Sequence, residues 1–341
     1  MMTESHLSSP DQTSPKAIRK ISIQDRSVLV GDIVVVNGYR VNRPALKQRF
    51  AEGGYQVQET PHFFLCIRDE TPSIILVHWF APEDLHTDIS HYLVEELKPF
   101  GVIPDNTRLG EFMTGIVGTS FPGDTRRAWN YFGANTLQRL LRFVSTATPE
   151  VSVDYGTLGA SATLYQRVCE LCVGETFLDA GCNGGFLSLL LAERLPFVAE
   201  AVGADIDPQV FSTAQILAAE RHVTNVRYVQ ADLLSHDLST LGQFDTVTAL
   251  HVMEHFTEED MYCVLKNLLP LTKHRLILAV PYEQGKPSQA YDHLQCFSRA
   301  KLEAIGAWCL EQLEGAGRLW CEDLLGGLLL IERREHILSA S

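Results

Sequence analysis

Thr176-Phe-Leu-Asp179-Ala-Gly181-Cys-Asn183-Gly-Gly185-Phe-Leu is the stretch that decides the fold. It reads as a short buried strand over 176–180, a turn of small residues, and a helix over 185–194. Glycine and asparagine accept positive φ, and the missing side chains let backbone approach a ligand closely. Downstream the alternation repeats. A strand over 201–205 is followed by a helix opening at Pro208, a favoured first-turn residue, and by strands over 226–230, 244–250 and 275–280. A closing strand is predicted over 328–331 and a further one around 310–313. Strands alternating with helices build an α/β fold, a doubly wound, mostly parallel seven-stranded sheet covered on both faces.

Upstream the texture changes. Strands are predicted over 28–30, 33–36, 62–67 and 73–77, with helices over 44–52 and 89–97 and a helical stretch over 129–144. The expected organisation is a flexible tail (1–25), a smaller N-terminal α/β domain (26–125), a helical connector or lid (126–157) and the doubly wound domain (158–341). A chain of 341 residues is long enough for two such domains. The first residues are polar and rich in Ser, Pro and Thr, which reads as a tail rather than a signal peptide. No apolar run reaches the 18 or so residues of a membrane span, so no membrane partner is expected.

A formal net charge of −14 bears on partners. Neutralising phosphates takes a basic surface, because counterion release supplies most of that affinity. Nucleic acid is therefore not expected as a partner, and a small molecule is. The eight cysteines are scattered, and Cys169 and Cys172 form a CxxC with no second pair at zinc-ribbon spacing. Reduced thiols point to the cytoplasm.

Ligands of an open α/β sheet bind beyond the carboxyl ends of its strands. Beside the glycine turn, Asp205 ends the second strand, where a carboxylate accepts both hydroxyls of a ribose. Asp232 ends the third, within reach of an adenine amino group or its flanking backbone. With Asp179, three acidic strand ends surround one turn and suit a cationic nucleoside better than a diphosphate. A phosphate cradle favours a GxGxxG or GK[ST] loop, and this turn has neither.

The segments FLDAGCNGGFLSLLL, VGADIDP, VQADLL and FDTVTALHVMEHF occur in this order. In these segments the chain resembles the class I S-adenosylmethionine-dependent methyltransferases, over about 158–334. The resemblance implies that S-adenosylmethionine is the cofactor. Asp179 and the backbone of Gly181, Asn183 and Gly185 would hold its methionine part, Asp205 its ribose and Asp232 its adenine end. Ile206, Leu233 and His251 belong to the same expected cofactor site. Asn183 stands where the family most often has Gly, and Asn keeps the same backbone shape.

The fourth strand ends in Leu250-His251-Val-Met-Glu254-His255, where this fold faces the reactive methyl group. His293 follows farther on, just before Phe297-Ser298, a predicted helix start. Three readings stand. His251, His255 or His293 is catalytic, a general base that takes a proton from the acceptor. Alternatively His251, Glu254, His255 and His293 hold a divalent metal, which would acidify an acceptor hydroxyl. This set resembles the ExxEH…H sites of small-RNA 2′-O-methyltransferases and the ExxEH segment of ubiquinone-pathway O-methyltransferases. With His251 replacing the first acid, preference moves from Mg²⁺ toward Zn, Fe or Mn. In the third reading Glu254 and His255 cap and pack the turn.

His78, His86 and His91 read as surface histidines rather than a further metal cluster. The aromatic stretch 128–132 and the segment 153–157 are candidates to cover the site and exclude water. The resulting expectation is a methyltransferase for a small-molecule acceptor, probing oxygen first and nitrogen or carbon next. The N-terminal domain would shape the acceptor pocket or an oligomer interface such as a homodimer. The alternatives are an RNA methyltransferase with a metal-assisted 2′-O site and a S-adenosylmethionine-binding protein without turnover.

Overall fold

The computed structural model describes residues 26–69, 73–146 and 158–334. The expected tail over 1–25, and the segment 153–157, lie outside the described residues. The N-terminal region runs β1 (Ser27–Val30), β2 (Ile33–Asn37), α1 (Arg43–Glu52), β3 (Gln56–Glu59), β4 (Phe63–Ile67), β5 (Ile74–His78), α2 (Asp88–Leu97) and α3 (Asn106–Ser120). Two helices follow, α4 (Thr125–Thr146) and α5 (Leu158–Leu171). The rest is β6 (Thr176–Ala180), α6 (Phe186–Arg194), β7 (Glu200–Asp205), α7 (Ser212–Glu220), β8 (Val226–Gln230), β9 (Phe244–Leu250), α8 (Glu258–Leu271), β10 (Thr272–Val280), α9 (Arg299–Gln312), β11 (Gly317–Asp323) and β12 (Gly327–Arg333).

The first five strands form one sheet in the order β1-β2-β5-β4-β3, with only β2 and β5 parallel. Alternation along each strand divides its apolar residues between two cores. Ile33, Val35, Phe63, Leu65 and Leu76 face α2 and α3, while Val34, Val36, Phe64, Ile75 and Val77 face Leu46 and Phe50 of α1. The unforeseen helix α3 is the reason one face is so well covered. Its sequence carries Gly110, Gly115 and Gly118, which disguise it in a propensity reading. Gly115 is a contact residue: a side chain there would meet Val35 Cγ2 at 2.3 Å.

The second sheet has seven strands in the order β11-β12-β10-β9-β6-β7-β8. From β10 to β8 every pairing is parallel, and only β12 and β11 run against their neighbours. The expected doubly wound sheet is therefore present, beside a smaller N-terminal sheet. Chain order reverses direction at β6, between β7 and β9, so the glycine turn stands at the topological switch point where such sheets bind ligands. Helix α4 packs between the two regions. Asn135 Nδ2 donates to the carbonyls of Pro82 and Leu85 on one side, and Leu137 packs with Leu189 and Leu217 on the other.

Three expectations are corrected. No helix opens at Pro208: Asp207 accepts from the amide of Gln209, and three-residue turns occupy the segment until α7 begins at Ser212. Residues 310–313 end helix α9 instead of forming a strand, because Ser298 caps its start and Leu302, Ile305 and Cys309 bury one helical face. The seventh strand is β11. Finally, His78 and His86 are buried rather than on the surface. His78 Nε2 pairs with Thr119 Oγ1 at 2.8 Å, and burial depresses its imidazole pKa to about 3. His91 is half-buried. No helix among the described residues is long and apolar enough to cross a membrane.

Candidate active site

The turn after β6 is held by the neighbouring strand. The amides of Gly181 and Cys182 both donate to the carbonyl of Ala204, at 2.8 and 2.9 Å. Gly181 has φ 75°, and a Cβ there would sit 2.6 Å from Val252 Cγ2, so both conformation and space demand glycine. Asn183 has φ 45°, the left-handed region that asparagine tolerates. Its amide donates to Asp205 Oδ2 at 2.9 Å, while Asp205 Oδ1 accepts from the amide of Asp207 at 3.1 Å. Each oxygen of Asp205 thus keeps acceptor capacity for a diol at the strand end.

The three acids are not equivalent. Asp205 is half-buried and Asp232 exposed, with Asp232 Oδ1 accepting from the amide of Leu234 at 2.9 Å. Asp179 is buried beneath the turn, where Thr248 Oγ1 donates to Oδ1 at 2.9 Å and Ser188 Oγ to Oδ2 at 3.4 Å. Burial, only partly offset by those two hydroxyls, raises its pKa to about 7. Asp179 thus ties the end of β6 to β9 and α6 on either side of the turn, through Thr248 and Ser188. Leu233 turns into the core. Ile206 is 64% exposed next to Asp205, an apolar surface available to a flat ring.

A cavity of about 920 Å³ adjoins the turn. Its walls include Cys182 to Gly184, Pro208 and Gln209, with Arg126, Trp129 and Phe132 of α4 and Tyr165 of α5 opposite. The aromatic stretch 128–132 thus presents Trp129 and Phe132 to the cavity, while Tyr131 faces outward against Phe121.

At the end of β9, His251 has φ 55°, and its amide donates to the carbonyl of Ala279 at 2.8 Å. A short 3₁₀ turn (Met253–His255) follows. Glu254 is fully buried, and neither carboxylate oxygen has a hydrogen-bond partner among the described residues. His251 Nδ1 lies 3.4 Å from Oε1. Such a carboxylate caps nothing, so of the reading in which Glu254 and His255 cap and pack the turn, only the packing is left to Glu254. A ligand atom from each of Glu254, His255 and His293 lies within 4.8 Å of the other two, whereas His251 is outside this group. The rings of His255 and His293 stand edge to face with centroids 5.1 Å apart.

Two residues that sequence reasoning missed assemble this cluster. Glu283 Oε1 lies 3.0 Å from His293 Nδ1, which orients the ring and leaves Nε2 for chemistry. Gln295 Nε2 donates to the carbonyls of Met253 and Phe256, at 3.0 and 2.9 Å, while the amide of Leu294 donates to the carbonyl of Glu254 at 2.8 Å. Nothing in the spacing of Glu283 or Gln295 marks them, because their partners lie 10 and about 40 residues away in sequence.

Residues 177–275 match the family model of a methyltransferase domain. A ubiquinone biosynthesis O-methyltransferase of Acinetobacter baylyi is 33% identical over 82 residues, which are 24% of this chain and 33% of that protein. The chain thus spans about a third of the length of the first curated relatives it matches. Among solved structures, an O-methyltransferase family protein from Burkholderia thailandensis aligns with TM-score 0.46 and 14% identity, covering 85% of this chain and 83% of that one. The magnesium protoporphyrin IX methyltransferase from Synechocystis, solved with S-adenosylhomocysteine, aligns with TM-score 0.41 and 21% identity, over 62% of this chain and all of that one (100%). Residues 177–275 thus carry a methyltransferase domain, set in the seven-stranded sheet with the glycine turn at its switch point.

Proposed function

We propose that the chain transfers the methyl group of S-adenosylmethionine to a small-molecule acceptor, with oxygen as the attacking atom. The observation that carries this reading is the Glu254–His255–His293 cluster, assembled at the end of β9 in the cofactor domain. The acceptor oxygen attacks the methyl carbon in line with the C–S bond, which breaks as the C–O bond forms. S-adenosylhomocysteine departs with the bonding electron pair on sulfur. The acceptor proton passes to an imidazole: with Nδ1–H donating to Glu283, His293 keeps a lone pair on Nε2 to accept it. Asp205 engages the ribose diol, Ile206 and the backbone beside Asp232 and Leu233 flank the adenine, and the amides of the 181–185 turn position the methionine part. Asp179 acts by fixing the end of β6, where that turn begins, to Thr248 and Ser188.

The cluster also fits a divalent metal. A buried carboxylate with neither oxygen hydrogen-bonded among the described residues is costly, and a cation within reach of Glu254 removes that cost. Glu254, His255 and His293 would hold the ion, and His251 would not. When bound, it would lower the pKa of the acceptor hydroxyl. Two nitrogens and one oxygen suit Zn, Fe or Mn better than Mg.

An acidic chain favours a small acceptor over RNA. The cavity beside α4 supports a role for residues 126–157 as a connector that covers the site, with the N-terminal domain ending near 125. All eight cysteines are free, which suits a reducing compartment such as the cytoplasm. The test is transfer of labelled methyl from the cofactor to a metabolite pool, alongside elemental analysis. Labelled small-molecule product is expected, dependent on His293. Cofactor binding without any product would instead leave a sensor. Label recovered in RNA, with a salt-dependent affinity, would reassign the acceptor.

A further inference from the structure

A second, smaller cavity of about 320 Å³ lies between the N-terminal domain and α4. Its walls are His62, Trp79, Phe80, His86, Tyr92 and Arg139, with Asp84 also present. The aromatic wall is ordered. The His62 ring stacks on Tyr92, with centroids 4.2 Å apart and planes within 5°, and on Phe80 at 5.8 Å. Glu96 fixes His62, taking both its ring Nδ1 and its amide. His62, Phe80 and Tyr92 thereby form one aromatic wall of the cavity.

The polar groups are unsatisfied. His86 is buried, and its Nδ1 has no hydrogen-bond partner; Asp88 Oδ2 is the nearest acid at 3.6 Å. The other oxygen of Asp88 accepts from the amide of Leu158 at 2.5 Å. Arg139 has its Nε sealed from solvent without a partner, and among the described residues no carboxylate forms an ion pair with it. Its terminal N–H groups are what the guanidinium has left to offer, and that planar fork matches a carboxylate. Arg139 as a whole is half-buried, so its terminal N–H groups stay open to an anion that enters the cavity. Asp84 and Asp88 lie close enough to influence His86 electrostatically, and their charge disfavours a dianion.

We propose that this cavity is a ligand site separate from the methyl-transfer centre, taking a small planar monocarboxylate with its carboxylate on Arg139 and its ring against His62 and Tyr92. The volume is at the lower end for ligand pockets and suits a single ring. The occupant would be felt at the larger cavity. Thr87, next to His86, and Thr136, one turn from Arg139, both line that cavity and are joined by a hydrogen bond from the Thr87 amide to Thr136 Oγ1.

Benzoate is the probe, titrated into the full-length protein saturated with S-adenosylhomocysteine and followed by calorimetry and by the His ring signals in NMR. Saturable binding at one site is expected, moving the His62 and His86 signals. Arg139→Met, which keeps the apolar stem, should weaken it at least tenfold, and Asp84→Asn should tighten it. Inorganic phosphate at equal concentration should not displace benzoate. Absence of saturable binding, unchanged affinity in Arg139→Met, or displacement by phosphate would each overturn the proposal. Should Arg139→Met fail to fold, the wild-type His62 and His86 signals decide: if neither moves at saturating benzoate, the site is elsewhere. Because the cofactor site is filled throughout, failure here leaves the methyltransferase reading intact.

Discussion

Replacing Gly181 by alanine tests how the cofactor turn is built. At φ 75° a residue with a Cβ pays for the left-handed conformation, and the new methyl would lie 2.6 Å from Val252 Cγ2 and 3.1 Å from Cγ1. The conformational part costs about 1–2 kcal/mol and the overpacking about 1–3 kcal/mol, so the variant should lose roughly 2–5 kcal/mol. Only the second part depends on Val252, which is itself buried against the core of the large sheet. Combining Gly181→Ala with Val252→Ala should therefore recover the overlap but not the conformational cost. A double-mutant cycle should return a coupling of about 1–3 kcal/mol. Urea unfolding followed by circular dichroism, fitted to the transition of the cofactor domain, measures all four corners. Affinity for S-adenosylhomocysteine, read by calorimetry, should fall in the single variant and partly return in the double. The reasoning fails if Gly181→Ala stays within about 0.5 kcal/mol of wild type, the range of surface substitutions. It fails equally if the cycle is additive, since Val252 would then not be what excludes a side chain.

Asp205→Ala removes the acceptor expected for the ribose diol, and charge-assisted hydrogen bonds of about 1.5–3 kcal/mol translate into a ten- to hundredfold weaker cofactor; an unchanged Kd by calorimetry would refute the assignment. Glu254→Gln should abolish methyl transfer yet stabilise the chelator-treated protein by about 1 kcal/mol or more, because a neutral unsatisfied amide is cheaper to bury than a carboxylate. A lower melting temperature than wild type in EDTA would count against it. Glu283→Gln should lower kcat and shift its pH profile with little change in KM for the cofactor, as expected of a residue that positions His293; parallel profiles would show a purely structural role. For Asp179, burial raises the folded pKa to about 7 from an ordinary 3.8, so the folded state favours the protonated form. Its contribution to stability is greatest below about pH 4 and is lost as pH rises through 7. Asp179→Asn should flatten that limb of a stability–pH curve, and an unaltered slope would mean the carboxylate is not the titrating group.

The large sheet was legible because its signals are local. Residues 176–180 are a short, largely buried strand, the turn is all small residues, and the next two strands end at Asp205 and Gln230. What failed was also physical. Pro208 invites a helix start, yet the carboxylate of Asp207 and the local turns occupy the backbone first. Leu310 and Leu313 look like strand until the cap at Ser298 sets the helical register. Helix α3 hides because its glycines weaken propensity while serving contact with Val35. At the site, spacing groups His251, Glu254 and His255, and the fold adds His293 from a distant loop, with His251 meeting Glu254 alone at 3.4 Å. The burial of Asp179, His78 and Glu254 is a tertiary property with no counterpart in spacing.

The side-chain amide of Gln295 joins two segments into a single mechanical piece. Because it holds both ends of the 253–256 turn, the loop that carries His293 cannot swing away without releasing two carbonyls. Drift in length should therefore be unevenly tolerated along the path from β10 to α9. Extra residues near Gly285 and Lys286, ahead of the latch, extend a surface excursion, whereas one residue inserted between His293 and Phe297 shifts the amide off its partners. The cluster then loses its alignment even though every one of its side chains is still encoded.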